Sequence, residues 1–441
     1  MLFRKKKLED KIEAQILQNE GRDQDYWALV KRQFYKNRLA VWSLRIFYVI
    51  FFVAVFADFL ANEKPIVAQL EGEVYFPVMN GYAVNLGLSS WEDQFVTKRW
   101  DEHNYDFVIF PPIPYSPTTI DVFNTDYVGP FDKQEVKSLR WKHWLGTDEL
   151  GRDAAAGMIY GARVAIAVGV IAMSISTIIG ILIGALAGYF GDNRLKMSRI
   201  RLFLNIVGLI IAVFYAFIAR SYFFSNADEE GGLLQQVVIS LFIFVGVMGV
   251  ANLLSSFLKR ISWLGEKVTI AVDILVMRAI EVLNSIPRLL LILSIVAITE
   301  PSVVNVMVII GLISWTGIAR FIRAELLRVR NLEYIEAAQA LGFSEKRIIW
   351  RHAIPNALTP VLIAIAFGVA SAILIEAFLS FLGIGLAAED VTWGSLLNLA
   401  RGKFAAWWLA IFPGFAIFIT VTIFNLLGEG LTDALDPRLK Q

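Results

Sequence analysis

Residues Glu336–Asn356 hold the densest group of residues whose types and spacing have a physical purpose. The segment reads Glu336-Ala337-Ala338-Gln339-Ala340-Leu341-Gly342, then Phe343–Arg351, then His352-Ala353-Ile354-Pro355-Asn356. Ala337, Ala338 and Ala340 combine high helix propensity with small side chains, so a short helix here can sit deep in a partner's groove. Gly342 permits the left-handed turn that ends such a helix. Pro355 suits the start of the next helix, where its missing N–H costs nothing. This is the chemistry of docking rather than of bond making, and an ordinary amphipathic connector is the plainer reading of the same residues.

Catalytic chemistry finds few candidates. The chain has no G-x-x-x-x-G-K-[ST] loop to cradle nucleotide phosphates, no G-x-S-x-G elbow, no H-E-x-x-H helix and no paired catalytic Asp motif. Cys is absent, which excludes disulfides, thiolate metal sites and cysteine nucleophiles, and permits an oxidising compartment without requiring one. His103, His143 and His352 are the only histidines, and His103 with His143 would still lack the further ligands a metal needs. The expectation is a non-enzyme that binds no cofactor and no metal itself. Asp273 and Glu376 keep an ion-driven transporter open as an alternative, because each could carry a proton.

The elements around the segment are dictated by hydropathy. Of 441 residues, 56% are hydrophobic and 18% charged, and the mean hydropathy is +0.57. Val164–Phe190, Leu202–Ala219, Leu233–Leu258, Ser302–Ala319 and Phe404–Gly428 carry no charge at all. A helix needs about 20 apolar residues to cross a bilayer, so each block is a candidate span. The net charge of +1 is spread over loops and gives no patch for nucleic acid. Arg4-Lys5-Lys6-Lys7 leads into polar Leu8–Asp25, which is not the pattern of a cleaved signal. Tyr26–Arg38 suits an interfacial helix.

Charge then orients the spans. The first is expected at 39–61, followed by a polar insert, 62–153, whose run Phe110-Pro111-Pro112-Ile113-Pro114-Tyr115-Ser116-Pro117 is too rich in proline for a helix. Val74–Val78 and Phe107–Phe110 suit a few strands or ordered loops. The second span, 154–190, carries Gly180, Gly184 and Gly188 on one face, which allows a close helix neighbour or reflects only the frequency of Gly in membranes. Arg194, Lys196, Arg199 and Arg201 precede a pair at 202–219 and 233–258, Asp228-Glu229-Glu230 separates the pair, and Lys259-Arg260 follows it. Basic residues stay cytoplasmic, so the pair goes out and returns. A span at 268–298 contains Asp273, Arg278, Glu281 and Pro287, with Arg278 and Glu281 placed to pair on one face. That pair sits at a cytoplasmic mouth or in a charged pathway. The span 302–319 ends in Arg320, Arg323, Arg328 and Arg330, and spans at 356–381 and 404–428 bring Arg438 and Lys440 back inside. The reading is an all-α integral membrane helical bundle of about eight transmembrane helices, with both termini cytoplasmic.

Glu336–Asn356 resembles the EAA loop of ABC importer permeases, whose pattern is E-A-A, three residues, G, nine residues, I-x-L-P. Every spacing fits, with His352 replacing the first Ile and Ile354 the Leu. His352 followed by Pro355-Asn356 is similar to the C-type permeases of the oligopeptide/dipeptide/nickel family. His143-Trp144-Leu145-Gly146-Thr147-Asp148-Glu149-Leu150-Gly151-Arg152-Asp153 resembles that family's GTDxxGRD lead-in to the second span, where Thr147, Asp148 and Asp153 read as helix caps or as binding groups. Tyr160-Gly161-Ala162-Arg163, Ala187–Gly191, Phe381–Gly385, Trp393-Gly394, Asn425–Gly428 and Asp433–Arg438 also match. Glu73–Pro77 and Pro111–Ser116 resemble the microcin C/oligopeptide subgroup.

The resemblance implies a type I (MetI-like) ABC importer core of six spans, here carrying an inserted pair within 191–267. The core is 268–428 with a cytoplasmic loop at 320–355, flanked by cytoplasmic segments 1–38 and 429–441. It implies half of a pathway in a bacterial inner membrane, lined for peptides or, alternatively, for nickel chelates or other small solutes. Its partners would be two ATPase subunits that use the ATP, a second permease forming a heterodimer, an external solute-binding protein and lipid. Glu336, Ala337, Ala338, Gly342, His352, Ile354, Pro355 and Asn356 would form the ATPase-coupling site, and Gly146, Thr147, Asp148, Gly151, Arg152 and Asp153 the lead-in motif.

Overall fold

The computed structural model describes residues 28–225, 232–387 and 389–435. The basic N-terminal run, the acidic run Asp228-Glu229-Glu230 and the tail with Arg438 and Lys440 lie outside these residues. Residues 28–34 are helical. Then come α1 (Arg38–Val55), β1 (Val67–Leu70), β2 (Glu73–Tyr75), β3 (Phe107–Ile109), α2 (Ala154–Phe190), β4 (Lys196–Ser198), α3 (Arg199–Val213), α4 (Leu233–Leu258) and β5 (Lys267–Thr269). The chain continues as α5 (Val272–Ser285), α6 (Arg288–Val296), α7 (Val303–Val329), α8 (Glu333–Ala340), α9 (Thr359–Phe381), α10 (Trp393–Ala400) and α11 (Trp408–Leu435). Among the described residues seven helices are long and apolar enough to cross a bilayer, and the pair α5–α6 is an eighth candidate bent by 78°.

The bend breaks the span expected at 268–298 into two helices. Pro287 lacks an N–H to continue the ladder, and it disfavours helical geometry at Ile286 before it, so α5 stops at Ser285 and α6 restarts at Arg288. Three other boundaries also move. The first span ends at Val55, where Phe56 (φ −94°, ψ 22°) leaves helical geometry before a separate turn, Ala57–Leu60. The helix α7 runs on to Val329 instead of stopping near Ala319. The span expected from 356 begins at Thr359, with Pro355 opening a single short turn, Ile354–Ala357, and Pro360 opening α9.

The chain divides into two compact units. The first draws on the described residues up to Leu182, on Leu283–Ile322 and on those from Trp350 onward. Its core joins Val168 and Ala172 of α2 to Ile292 and Val296 of α6, Val306 and Ile310 of α7, and Ala372 and Leu379 of α9. A Cβ added at Gly180 would lie 2.7 Å from the Ile318 Cβ, so α2 and α7 meet there without room for a side chain. In the polar insert an antiparallel sheet of order β2-β1-β3 forms, with Ala68 opposite both Tyr75 and Val108. Phe95, Trp100 and Phe110 pack behind it with Tyr75, Trp91 and Tyr105, while the proline run stays irregular. Asp58, just past α1, accepts hydrogen bonds from Tyr82, Tyr160 and Arg163, which ties the insert and α2 to the first helix.

The second unit comprises Ile183–Val282 and Arg323–Ile349. Here α3, extended by a wider π turn at Phe214–Ile218, packs along α4 so closely that a Cβ at Gly208 would sit 2.9 Å from that of Ala251. Antiparallel β4 and β5 pair Met197 with Val268 at the base of this hairpin. A Cβ at Gly188 would lie 2.7 Å from the Arg323 carbonyl oxygen and 2.9 Å from the Leu326 Cβ. Gly180 and Gly188 are thus both points of close packing against α7, each inside its own unit.

Candidate functional site

In the second unit, α8 is built as the alanine pattern anticipates. Ile335 and Ala338, three apart, are buried, while Glu333, Tyr334, Glu336, Ala337 and Ala340 are exposed, so the outward face carries two carboxylates and a tyrosine at its start and small side chains toward its end. Its end is closed by a Schellman motif. The Gly342 amide donates to the Gln339 carbonyl at 2.9 Å and the Phe343 amide to the Ala338 carbonyl at 3.1 Å, with Gly342 at φ +79°. Ser344 then caps the next short helix, Glu345–Ile348, by accepting from the Arg347 amide.

The segment continues through a π turn, Ile349–Ala353, and then the turn Ile354–Ala357. Ala353 and Ile354 are buried, Pro355 and Asn356 exposed, and the Asn356 side-chain Nδ2 donates to the His352 carbonyl at 2.7 Å. His352 is half-buried and has partners of its own.

The lead-in motif, in the first unit, is a braced loop. Asp153 caps α2, its carboxylate accepting from the Ala156 amide at 2.7 Å. Thr147 and Asp148 do not cap it, because their oxygens are used in the loop itself. The Thr147 hydroxyl donates to the Asn124 carbonyl at 2.8 Å, and the Asp148 carboxylate accepts from the amides of Leu150 and Arg152. Burial raises the Asp148 pKa, against the pull of these bonds and of Arg152. Gly151 sits at φ +84° with the Asp121 carbonyl oxygen 2.2 Å from where a Cβ would be, so no other residue fits there.

The sequence reading missed what surrounds His143. Its ring is fully buried, with Nδ1 2.8 Å from the Asp153 carboxylate and Nε2 3.1 Å from that of Asp121, and the Tyr115 ring stacks on it with centroids 4.3 Å apart. Burial alone would lower the imidazole pKa, but the bonds and charges of Asp153 and Asp121 outweigh it and raise it. Asp121 moves the other way: burial opposes ionisation, and bonds from Asn124 and His143 hold the carboxyl below the usual range. His103 instead lies among Phe95, Trp100 and Tyr105. Among the described residues no group of three His, Asp or Glu is placed to hold a metal ion.

Three groups of ionisable residues near the spans have partners within their helices or from a neighbouring one. Asp273, read as a possible proton carrier, receives two hydrogen bonds from the Arg323 guanidinium, Nη2 at 2.6 Å. Glu376 is buried and accepts from the Ser380 hydroxyl at 2.6 Å. Arg278 and Glu281 pair at 2.6 Å on an exposed helix face, as their spacing implies.

Seven helices long and apolar enough to cross a bilayer among the described residues define a multi-pass membrane protein. The family described as binding-protein-dependent transport system inner membrane component matches residues 261–441, and the N-terminal TM domain of oligopeptide transport permease C matches 25–74. Over 430 residues the chain is 28% identical to the peptidoglycan transport system permease protein YejE of Agrobacterium fabrum, covering 92% of each. The inner membrane ABC transporter permease protein YejE of Escherichia coli is 27% identical over 94% of this chain and 97% of its own length. The dipeptide transport system permease protein DppC of Bacillus subtilis is 30% identical over 301 residues, 68% of this chain and 70% of that one. The chain belongs to the binding-protein-dependent transport inner-membrane components, in the oligopeptide/dipeptide permease family.

Proposed function

We propose that this chain is the permease subunit of an ATP-driven ABC importer, that it forms half of a translocation pathway for peptides, and that Glu336–Asn356 is its ATPase-coupling segment. The observation that carries the reading is α8: a short helix with Glu336, Ala337 and Ala340 exposed, ended by a positive-φ glycine. The small side chains of Ala337 and Ala340 let a partner's groove approach the helix backbone closely at that end. Relatives named for peptidoglycan and dipeptide transport support a peptide cargo. In this reading two separate ATPase subunits clamp the coupling segments, a second permease completes the pathway, and an external binding protein delivers the substrate. Both termini and residues 320–355 lie in the cytoplasm, and residues 62–153 lie outside the cell membrane.

The test is uptake into vesicles that contain the whole complex. Transport should require ATP and survive an ionophore that collapses ion gradients; loss to the ionophore with ATP present would sink the reading. Glu336→Lys should leave insertion and assembly intact while uncoupling ATP hydrolysis from uptake. Mass spectrometry of the ligand that co-elutes with the binding protein identifies the cargo. For orientation, a cysteine at Asn226, unique in a chain without Cys, should label only from outside.

A further inference from the structure

The last turn of α2 is built around one hydroxyl. Tyr189 is fully buried, and its hydroxyl donates to the Glu345 carboxylate and accepts from the Gln339 side-chain amide at 3.3 Å. Gln339 lies on α8 and Glu345 on the helix after Gly342, so one side chain holds both sides of the turn that ends α8. Beside it the Gly188 carbonyl accepts from Arg330 at 3.2 Å, on the link between α7 and α8. Phe190 packs edge-on against the ring and the Arg194 guanidinium lies over it at 5.7 Å. Packing alone would be served by a phenylalanine. A buried hydroxyl has to find partners, and here both partners belong to the coupling segment. The bond to Glu345 is charge-assisted, the stronger kind.

We propose that Tyr189 is the positioning residue that ties α8 to the end of the second span, so that a displacement of the coupling helix has to carry α2 with it or break this bond. The inference rests on the reading of α8 as the coupling element and adds the residue through which it acts.

The experiment uses the full complex in proteoliposomes with ATPase subunits and loaded binding protein. Tyr189→Phe keeps the ring and removes the hydroxyl. Expected are retained ATPase subunits, ATP hydrolysis within about twofold, and transport per ATP lower by about tenfold, the size of one lost hydrogen bond to a charged group. Glu345→Gln, which keeps an acceptor but removes its charge, should lower it in the same direction, and the double variant should be no worse than Tyr189→Phe alone, because Tyr189→Phe has already removed the hydroxyl that bonds Glu345. Unchanged transport per ATP in Tyr189→Phe, with Glu336→Lys uncoupled in parallel, overturns the tie and leaves the coupling reading standing. Normal transport by Glu336→Lys as well removes the coupling reading itself. Loss of assembly or thermal stability by Tyr189→Phe, in proportion to the transport lost, would make the residue structural and also overturn the proposal.

Discussion

Gly342 offers the sharpest test of how α8 is held. A Cβ built there meets nothing within 4 Å, so a substitution faces no crowding and the whole cost is conformational. An L-residue held in the left-handed region costs about 1–2 kcal/mol, a factor of about 5–30 in the equilibrium between capped and frayed ends. Gly342→Ala should therefore leave the fold intact and free the end of α8. Hydrogen exchange at the Phe343 amide, which now donates to the Ala338 carbonyl, should accelerate about 5–30-fold, and transport per ATP should fall with it. Gly342→Asn should lie between Gly and Ala, since Asn tolerates this conformation. Gly342→Pro removes the donor and locks φ near −65°, so it should abolish coupling altogether. Ala and Pro variants that exchange and transport like the parent protein would refute the argument that this cap sets the position of α8.

Other perturbations have equally definite outcomes. Gly188→Leu places atoms where the Arg323 carbonyl and Leu326 already sit, so thermal unfolding in detergent should show a loss of about 1–3 kcal/mol. The contribution of His143 to stability should be fully present below about pH 6.5 and lost as pH rises through its raised folded-state value. That of Asp121 should be present above about pH 3.9 and lost as pH falls through its lowered one. A plot of melting temperature against pH should show the upper limb, and His143→Asn should remove it. Asp273→Asn withdraws the carboxylate from Arg323 and should cost about 1.5–3 kcal/mol, with partial recovery when Asp273→Arg is combined with Arg323→Asp.

Much of this architecture is legible in the sequence because lipid makes hydropathy decisive. The uncharged blocks predict the long helices, although α7 and α11 run about ten and seven residues past their expected ends. Pro287 is visible in the sequence, but the 78° bend beside it is not encoded in any spacing. The C-terminal cap of α8 was readable because Gly342 acts locally. His143 was not: its two carboxylates are contributed by Asp153 at the mouth of α2 and by Asp121 across the path of the insert, and that path depends on a sheet of three-residue and four-residue strands. Thr147 and Asp148 have the composition of caps, yet the loop from Asn124 to Val128 reaches Thr147 first and a local turn takes Asp148. Tyr189 was read only as part of a matching stretch, since its partners lie 150 and 156 positions away.

The break between α5 and α6 has a consequence for solvent. Every helix end leaves its last carbonyls and first amides without partners in the helix, and the turn at Ile286-Pro287 creates one of each in the middle of an apolar stretch. In hydrocarbon each such group would cost several kcal/mol. The Asn284 side chain beside the break receives the Thr316 hydroxyl at 3.4 Å, but side chains of this kind do not reach every orphaned peptide group. Wherever Ser285–Arg288 lies within the hydrocarbon, its backbone has to face water or another polypeptide rather than acyl chains.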